Sequence, residues 1–435
     1  MKIVKYIVLL SLCFAQLMAQ DSLSLSEAIV LGLENNYELK MTRNEERISN
    51  INNTWGNTSL MPSIALSASA FESWNLNDTE NYREQTIQPE VTLDWVIFNG
   101  FSAQITKAKY EELEAQSQGN TAILVENTIQ DIILAYNNCL LQKELMNVYE
   151  ELADLSQDRY KRTEESKALG ASTSYESLQA KTSWLEDQSN FLDQKVNYDN
   201  AVRTLNYILG VQGDPTWVFS SALSVDTATY SIEDLSAKMK SNNETLKNQY
   251  LYQRLLAKET QLAKSDYYPS LSLSSGLNNT DYLKAYSGST ANTDYNYINP
   301  YVGLTLSWDI FNGGTRKRSV EIAKINEETA EIQVTQMVHS LDNQLLQMHS
   351  RYNVNKAILS LAEEQAAAAS LNLELSYEKL QSGVINSFNY RDVQIAYMNA
   401  AISKLSAYYD LIQSKTDLMR ITGSIVDEYG TTLNE

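Results

Sequence analysis

The sequence predicts a mixed α and β membrane fold built twice, each half a strand hairpin joined to a long helical hairpin. Three observations carry this reading. Val302, Leu304, Leu306 and Trp308 alternate with Gly303, Thr305, Ser307 and Asp309, a period of two that makes a strand with one apolar and one polar face. Asn312, Gly313 and Gly314 then interrupt the strand, and a charged, helix-prone run follows. The same order occurs earlier, from Val91 through Trp95, Phe98, Asn99 and Gly100 into a second charged helical run.

Residues 1–19 read as a secretory signal, because Lys2 and Lys5 precede an apolar run from Ile7 to Ala15 and Ala19 offers a small residue for cleavage before Gln20. That run is shorter than the ~20 residues a membrane helix needs. Leu12, just before Cys13, is not the small residue expected before a lipidated cysteine. Cys139 is then the single cysteine of the mature chain, and it is expected to pack on a helix. The chain carries 34 Lys and Arg against 54 Asp and Glu, a net charge of −20 that argues against a nucleic-acid partner. No stretch after the signal could cross a membrane as a helix, whereas a strand needs only ~9–11 residues.

The first repeat, residues 20–210, opens with an amphipathic helix from Ser24 to about Ile51, with Ser26 as N-cap. After Pro62 the alternation of Ile64, Leu66, Ala68 and Ala70 predicts a strand, residues 72–88 a polar loop, and a return strand ends at Trp95. No proline then occurs until Pro215, so the helices are expected to be long. Ile129, Ile133, Tyr136 and Leu140, then Leu145, Val148, Leu152 and Leu155, step by three and four in coiled-coil fashion. Phe101 to Lys167 would span about 100 Å as a helix. The chain turns at residues 169–174 and returns from Tyr175 to Leu209, with Gly210 as a C-cap.

A linker, residues 211–230, precedes the second repeat, residues 231–423, and a tail, residues 424–435, follows it. Asn242-Asn243 and Pro269 lie 207 positions after Asn35-Asn36 and Pro62. Phe311-Asn312-Gly313, Gly383 and Gly423 lie 213 after Phe98-Asn99-Gly100, Gly170 and Gly210, which places a six-residue insertion in the second strand hairpin, whose loop is expected at 278–299. The second long helix carries Val338, Leu341, Leu345, Met348 and Tyr352, and its return Ile395, Met398, Ile402, Leu405, Tyr409 and Ile412.

Four strands cannot close a barrel or hide their edges, and an unpaired edge is prohibitive in lipid. Copies must therefore be shared. Three protomers supply a twelve-stranded barrel, with Val91, Leu93, Trp95, Val302, Leu304, Leu306 and Trp308 toward lipid and Thr92, Asp94, Thr305, Ser307 and Asp309 toward water. Trp95 and Trp308 fall where an interfacial aromatic girdle belongs.

With Leu25-Ser26-Glu27-Ala28-Ile29, Asn35-Asn36, the prolines before the first strands, the two Trp-x-x-Phe-Asn-Gly strand exits and the tip glycines Gly170 and Gly383, essentially the whole mature chain resembles TolC-like outer-membrane efflux proteins. The resemblance implies a homotrimeric barrel in the outer membrane of a Gram-negative bacterium, continued by a coiled-coil α-helical barrel across the periplasm. It also implies a passive duct whose helical tips, here Leu169, Gly170, Ala171, Ser382, Gly383 and Val384, dock a periplasmic membrane-fusion adaptor of an inner-membrane pump. In the family, acidic residues after the second tip glycine form constricting rings. Those positions fall on Asn389 and Asp392, so one acid is kept, and the adjacent Arg391 is expected to offset part of its charge. Glu176 matches the acid of the first hairpin, whereas its tyrosine and arginine partners fall on Leu380 and Ile385.

An enzyme is disfavoured, and neither a cofactor nor a metal is expected. His339 and His349 stand ten apart on one predicted helix with no third ligand or nucleophile motif, and Glu111-Glu112, Glu327-Glu328 and Glu363-Glu364 fit solvated helix faces. A periplasmic coiled-coil scaffold or adhesin without channel activity would use the helices, but it has no use for strands with one apolar face that end in tryptophan.

Overall fold

The computed structural model describes residues 22–76, 81–213, 215–287 and 292–430. The expected signal lies outside the described residues, as do Asp214 of the linker and positions 431–435 of the tail. In chain order the first repeat runs β1 (Ser22–Leu23), α1 (Leu25–Asn35), α2 (Tyr37–Asn52), β2 (Ser63–Asn75), β3 (Tyr82–Asn99), α3 (Ser102–Ala168) and α4 (Ser174–Leu209). The linker holds β4 (Val218–Phe219). The second repeat runs α5 (Ile232–Asn242), α6 (Glu244–Ser265), β5 (Ser270–Tyr286), β6 (Asn292–Ser307), α7 (Thr315–Gln381) and α8 (Ser387–Ile421), and α9 (Ile425–Gly430) lies in the tail. No helix among the described residues is long and apolar enough to cross a membrane.

The chain divides into two compact units that each draw on both repeats: Met1–Arg43 with Thr121–Leu246 and Met337–Glu435, and Asn44–Asn120 with Lys247–Gln336. The helical unit has two apolar cores, the first built mainly from the first repeat with Ile412 and Met419 of α8 added, the second from the second repeat. In the first, Ala28, Ile29 and Leu33 of α1 pack with Ile129, Ile132, Ile133 and Tyr136 of α3 and with Val202, Leu205 and Leu209 of α4. In the second, Leu235 and Met239 of α5 pack with Leu341, Leu345 and Tyr352 of α7 and with Leu411 and Leu418 of α8. Cys139 is buried in the first core, where burial pushes its thiol up to about 12.

Both cores are closed by one device made twice. Asn36 Nδ2 donates to the Ile208 carbonyl at 3.0 Å, and Asn243 Nδ2 donates to the Ile421 carbonyl at 2.9 Å. Each asparagine also accepts with Oδ1 from an N–H of the helix that follows it, Leu39 at 3.1 Å and Leu246 at 2.8 Å. Gly210 and Gly423 end α4 and the second repeat at φ 67° and 66°, and a Cβ on either would meet a backbone carbonyl, Asn35 O at 2.5 Å or Asn242 O at 2.6 Å. Positive φ and close backbone approach both require glycine there.

Several expectations are corrected. The N-cap of α1 is Ser24 and not Ser26, because Glu27 stands three residues after Ser24 and completes a capping box. The stretches expected as loops, 72–88 and 278–299, are largely strand where they are described, while residues 77–80 and 288–291 lie outside the described residues. A polar sequence can stay in a ladder when one face meets water, because pairing satisfies its backbone regardless of side chain. The linker carries β4, which pairs in parallel with β1 and adds Phe219 to the first core. On α8, Ile412 is buried as expected, with Ala400, Ala407, Leu411 and Leu418, whereas Met398, Ile402, Leu405 and Tyr409 are half-buried and Ile395 is exposed.

Candidate functional site

The second unit holds an antiparallel sheet in the order β2-β3-β5-β6, which leaves β2 and β6 as open edges. Its register sorts side chains onto two faces, because opposed residues share a face. One face carries Ile64 and Leu66 of β2, Val91, Leu93 and Trp95 of β3, Leu271, Leu273 and Leu277 of β5, and Val302, Leu304 and Leu306 of β6. Ile64, Leu66, Val302, Leu304 and Leu306 are each more than three-fifths exposed, a contiguous apolar band with no cover among the described residues. The opposite face carries Ser67, Thr92, Asp94, Ser272, Ser274 and Thr305.

Trp95 and Trp308 stand at the same end of this band. Trp95 Nε1 donates to Leu60 O at 2.9 Å and Trp308 Nε1 donates to Tyr267 O at 3.2 Å, 207 positions on, so each indole keeps its apolar body outward and its N–H satisfied.

In the helical unit both tips are built from the same two parts. A Schellman turn ends each long helix: Ala171 N–H bonds Ser166 O and Gly170 N–H bonds Lys167 O, and Val384 N–H bonds Lys379 O and Gly383 N–H bonds Leu380 O. Gly170 and Gly383 sit at φ 75° and 71° with open space around them, so the turn needs their conformation and not their small size. An N-cap then starts each return helix, Thr173 in a capping box with Glu176, and Asn386 accepting from Phe388 and Asn389 N–H. Leu169 and Val384 are 86% and 71% exposed. Tyr175 and Phe388, at the starts of α4 and α8, lie with ring centroids 6.4 Å apart, which sets the tips side by side.

Glu176 accepts from Ser172 Oγ at 2.6 Å and Thr173 N–H at 2.8 Å, bonds that hold its carboxyl below the usual carboxylate range. Asn389 and Asp392 are exposed on the first turns of α8. The expectation that Arg391 offsets Asp392 is not met: Arg391 Nη1 and Nη2 bond Asp187 Oδ2 and Oδ1 of α4 at 2.6 and 2.8 Å. No described residue forms an ion pair with Asp392.

The pair Asp187–Arg391 belongs to a buried cluster that the sequence reading missed. Arg159 of α3 is 4% exposed, donates to Ser387 O at 3.4 Å, and leaves Nε and Nη2 buried without partners. Burial, then repulsion by Arg391, lowers its guanidinium to about 10. Beside it, Arg162 donates to the Tyr377 hydroxyl across α3 and α7. The available signal was positional: Ala180, Asp187, Gln194 and Ala201 recur every seven residues and are all buried, so the aspartate occupies a seam position.

A sheet with open edges and an uncovered apolar band, in a chain that also holds two helices of 67 residues, fits a protein that enters a membrane through its strands. Residues 28–211 and 235–424 match the family described as outer membrane efflux protein, and the chain belongs to that family. It is therefore a transport protein of the outer membrane and not an enzyme. No curated protein sequence matches the chain. Among solved structures it is similar to a membrane protein from Pseudomonas aeruginosa (TM-score 0.76, 13% identity, 92% of each chain covered). It is also similar to the CmeC outer membrane channel of Campylobacter jejuni (TM-score 0.75, 16% identity, 94% of this chain and 89% of that one). A third is the open state of the MtrE outer membrane channel of Neisseria gonorrhoeae (TM-score 0.73, 13% identity, 92% and 88%). At these identities the likeness establishes the fold.

Proposed function

We propose that three copies close into a twelve-stranded barrel in the outer membrane of a Gram-negative bacterium, and that their helices continue as a periplasmic duct for efflux. The observation that carries this is the sheet: two unpaired edges beside an apolar band cannot persist in lipid, and joining β2 of one copy to β6 of the next removes both edges and leaves the band facing outward. The helices support the same assembly, because Tyr175, Leu178, Leu185, Leu192 and Val196 form an exposed apolar stripe on α4, and Leu346, Val354, Ile358 and Leu361 form one on α7. Trp95 and Trp308 serve as the interfacial girdle.

The tips, Leu169 to Ala171 and Ser382 to Val384, dock a periplasmic adaptor of an inner-membrane pump. Glu176, Asn389 and Asp392 stand near the tunnel constriction, and the unpaired Asp392 of three copies forms its charged ring. Native mass measurement in detergent and planar-bilayer conductance test the reading. A trimer that conducts is expected, and a stable monomer without conductance would overturn it. In recordings, Asp392→Asn should reduce cation preference, and an unchanged reversal potential would remove Asp392 from the aperture. Charged bulky residues at Ala171 and Val384 should abolish export while trimer and insertion persist.

A further inference from the structure

The polar face of the sheet changes character along its strands. Toward β2's start it is lined by Ser270, Ser272 and Ser274, and toward the β5–β6 connection it turns aromatic. Tyr82 of β3, Tyr282 and Tyr286 of β5, and Tyr295 and Tyr297 of β6 all fall on this face by register. Tyr282 and Tyr295 stack at 4.7 Å with 21° between planes, and Tyr295 and Tyr297 at 5.8 Å with 28°, a near-parallel row of three rings. Its last two members are 44% and 50% exposed, so ring surface remains open.

Carboxylates border the rings. Glu84 accepts the Tyr282 hydroxyl at 2.8 Å, and Glu90 accepts the Tyr301 hydroxyl at 3.1 Å. A cation already occupies the adjoining ring pair: Lys284 Nζ lies 3.7 Å from the Tyr82 ring centroid and 5.1 Å from that of Tyr286, with Glu84 at 3.6 Å. Among the described residues, the charged groups on this face are Glu84, Glu90 and Asp94 against Lys284 alone. Electron-rich ring faces bordered by excess carboxylate attract cations and repel anions.

We propose that this tyrosine row is a binding site for planar organic cations, with Lys284 as the resident cation that competes for it. An aromatic ligand stacks on the open rings of Tyr295 and Tyr297, and the excess carboxylate of this face, which the Lys284 ammonium now partly offsets, draws its positive charge. A neutral ring lacks the second attraction, and an inorganic cation lacks the first. The inference rests on the reading of this face as the aqueous wall of the channel.

The test uses the full-length protein in detergent, titrated with ethidium by fluorescence anisotropy, with empty micelles as blank and fluorescein as the planar anion. Saturable ethidium binding is expected, weakened about fivefold or more in Tyr295→Leu/Tyr297→Leu and tightened about two- to fivefold in Lys284→Met, the range one exposed cation–ring contact spans. Fluorescein should not bind. A gain in Lys284→Met cannot arise from damaged folding. Equal ethidium binding in all three proteins, no saturable binding, or equal binding of fluorescein would overturn the site. Bilayer conductance separates the two readings: a channel that conducts but whose ethidium binding ignores these tyrosines refutes the site alone, and a protein that never conducts refutes the lumen and the site together.

Discussion

Replacing Asp187 by alanine isolates the energetic role of the buried charge cluster. Asp187 is 2% exposed and accepts both bonds from Arg391, whose side chain is 14% exposed, while Arg159 nearby already leaves two buried N–H groups unpartnered. Removing the one acid leaves two guanidiniums facing each other out of water, and truncating one partner of a buried pair costs about 3–5 kcal/mol. At roughly 2 °C per kcal/mol for a unit this large, the thermal midpoint should fall by roughly 6–10 °C. Thermal unfolding of the purified protein in detergent, followed by circular dichroism at 222 nm, measures it. The companion variant, Asp187→Leu with Arg391→Met, replaces the pair with apolar groups and should lose less than half as much, because no charge in that pair is left stranded. A midpoint for Asp187→Ala within 1 °C of the parent would refute the reasoning. So would a double variant worse than the single one.

On the sheet, Leu304→Arg places a charge on the apolar face and should weaken insertion by about 2–4 kcal/mol near the bilayer midplane, measured by folding into lipid vesicles; Thr305→Arg, on the polar face, should cost little. Alkaline stability should fall. Burial pushes the Cys139 thiol and the Tyr352 and Tyr397 phenols up to about 12, whereas the unfolded chain releases these protons from about 9 and 10. Between those values the fold holds more protons, so stability drops as pH rises from about 9 to 12, and Tyr352→Phe should flatten the drop in unfolding midpoints compared at pH 8 and 11. Gly383→Ala and Gly423→Ala both force a side chain into left-handed backbone, about 1–2 kcal/mol each, but the Gly423 change also drives a Cβ to 2.6 Å from Asn242 O. Gly423→Ala should therefore be the more destabilising in thermal unfolding, and equal effects would contradict the contact.

Periodicity and punctuation made most of the fold legible. The alternation around Leu304, the glycines that end the helices and the proline-free run after Gly100 each state a backbone requirement in residue types. Where a local rule had two candidates, the reading chose wrongly at Ser26, because Ser24 wins only once Glu27 is seen to reach back to it. Polar strand was read as loop at 72–88 because hydrophobicity reports burial, and a strand wet on one face does not need it. The two helical turns were legible by position, because Gly170 and Gly383 stand where left-handed backbone ends a helix. The charge cluster was not: nothing local in Asp187 announces a partner 204 positions away, and an acid in an amphipathic helix ordinarily faces water.

The duplication separates what builds the fold from what distinguishes its halves. Contacts kept at the 207 and 213 offsets, Asn36 with Asn243, Gly210 with Gly423, Trp95 with Trp308 and the N-caps Thr173 and Asn386, satisfy backbone groups or permit turns, and any copy of the repeat needs them. The charge cluster exists once. The counterparts of Arg159, Asp187 and Arg391 at the 213 offset are Asn372, Ala400 and Leu178, which cannot form an ion pair. In the proposed trimer the two kinds of hairpin alternate around the ring, so each hairpin meets an unlike neighbour on both sides, once within its chain and once across a subunit boundary. The Asp187–Arg391 pair marks the junction within the chain with a buried ionic contact, while the exposed leucines of α4 and α7 leave the other junction apolar. An apolar junction can form between copies without first burying unpaired charge, and the ionic one is already satisfied when the chain has folded. For the proposed trimer, this asymmetry favours folding across the charged junction first and association across the apolar one second.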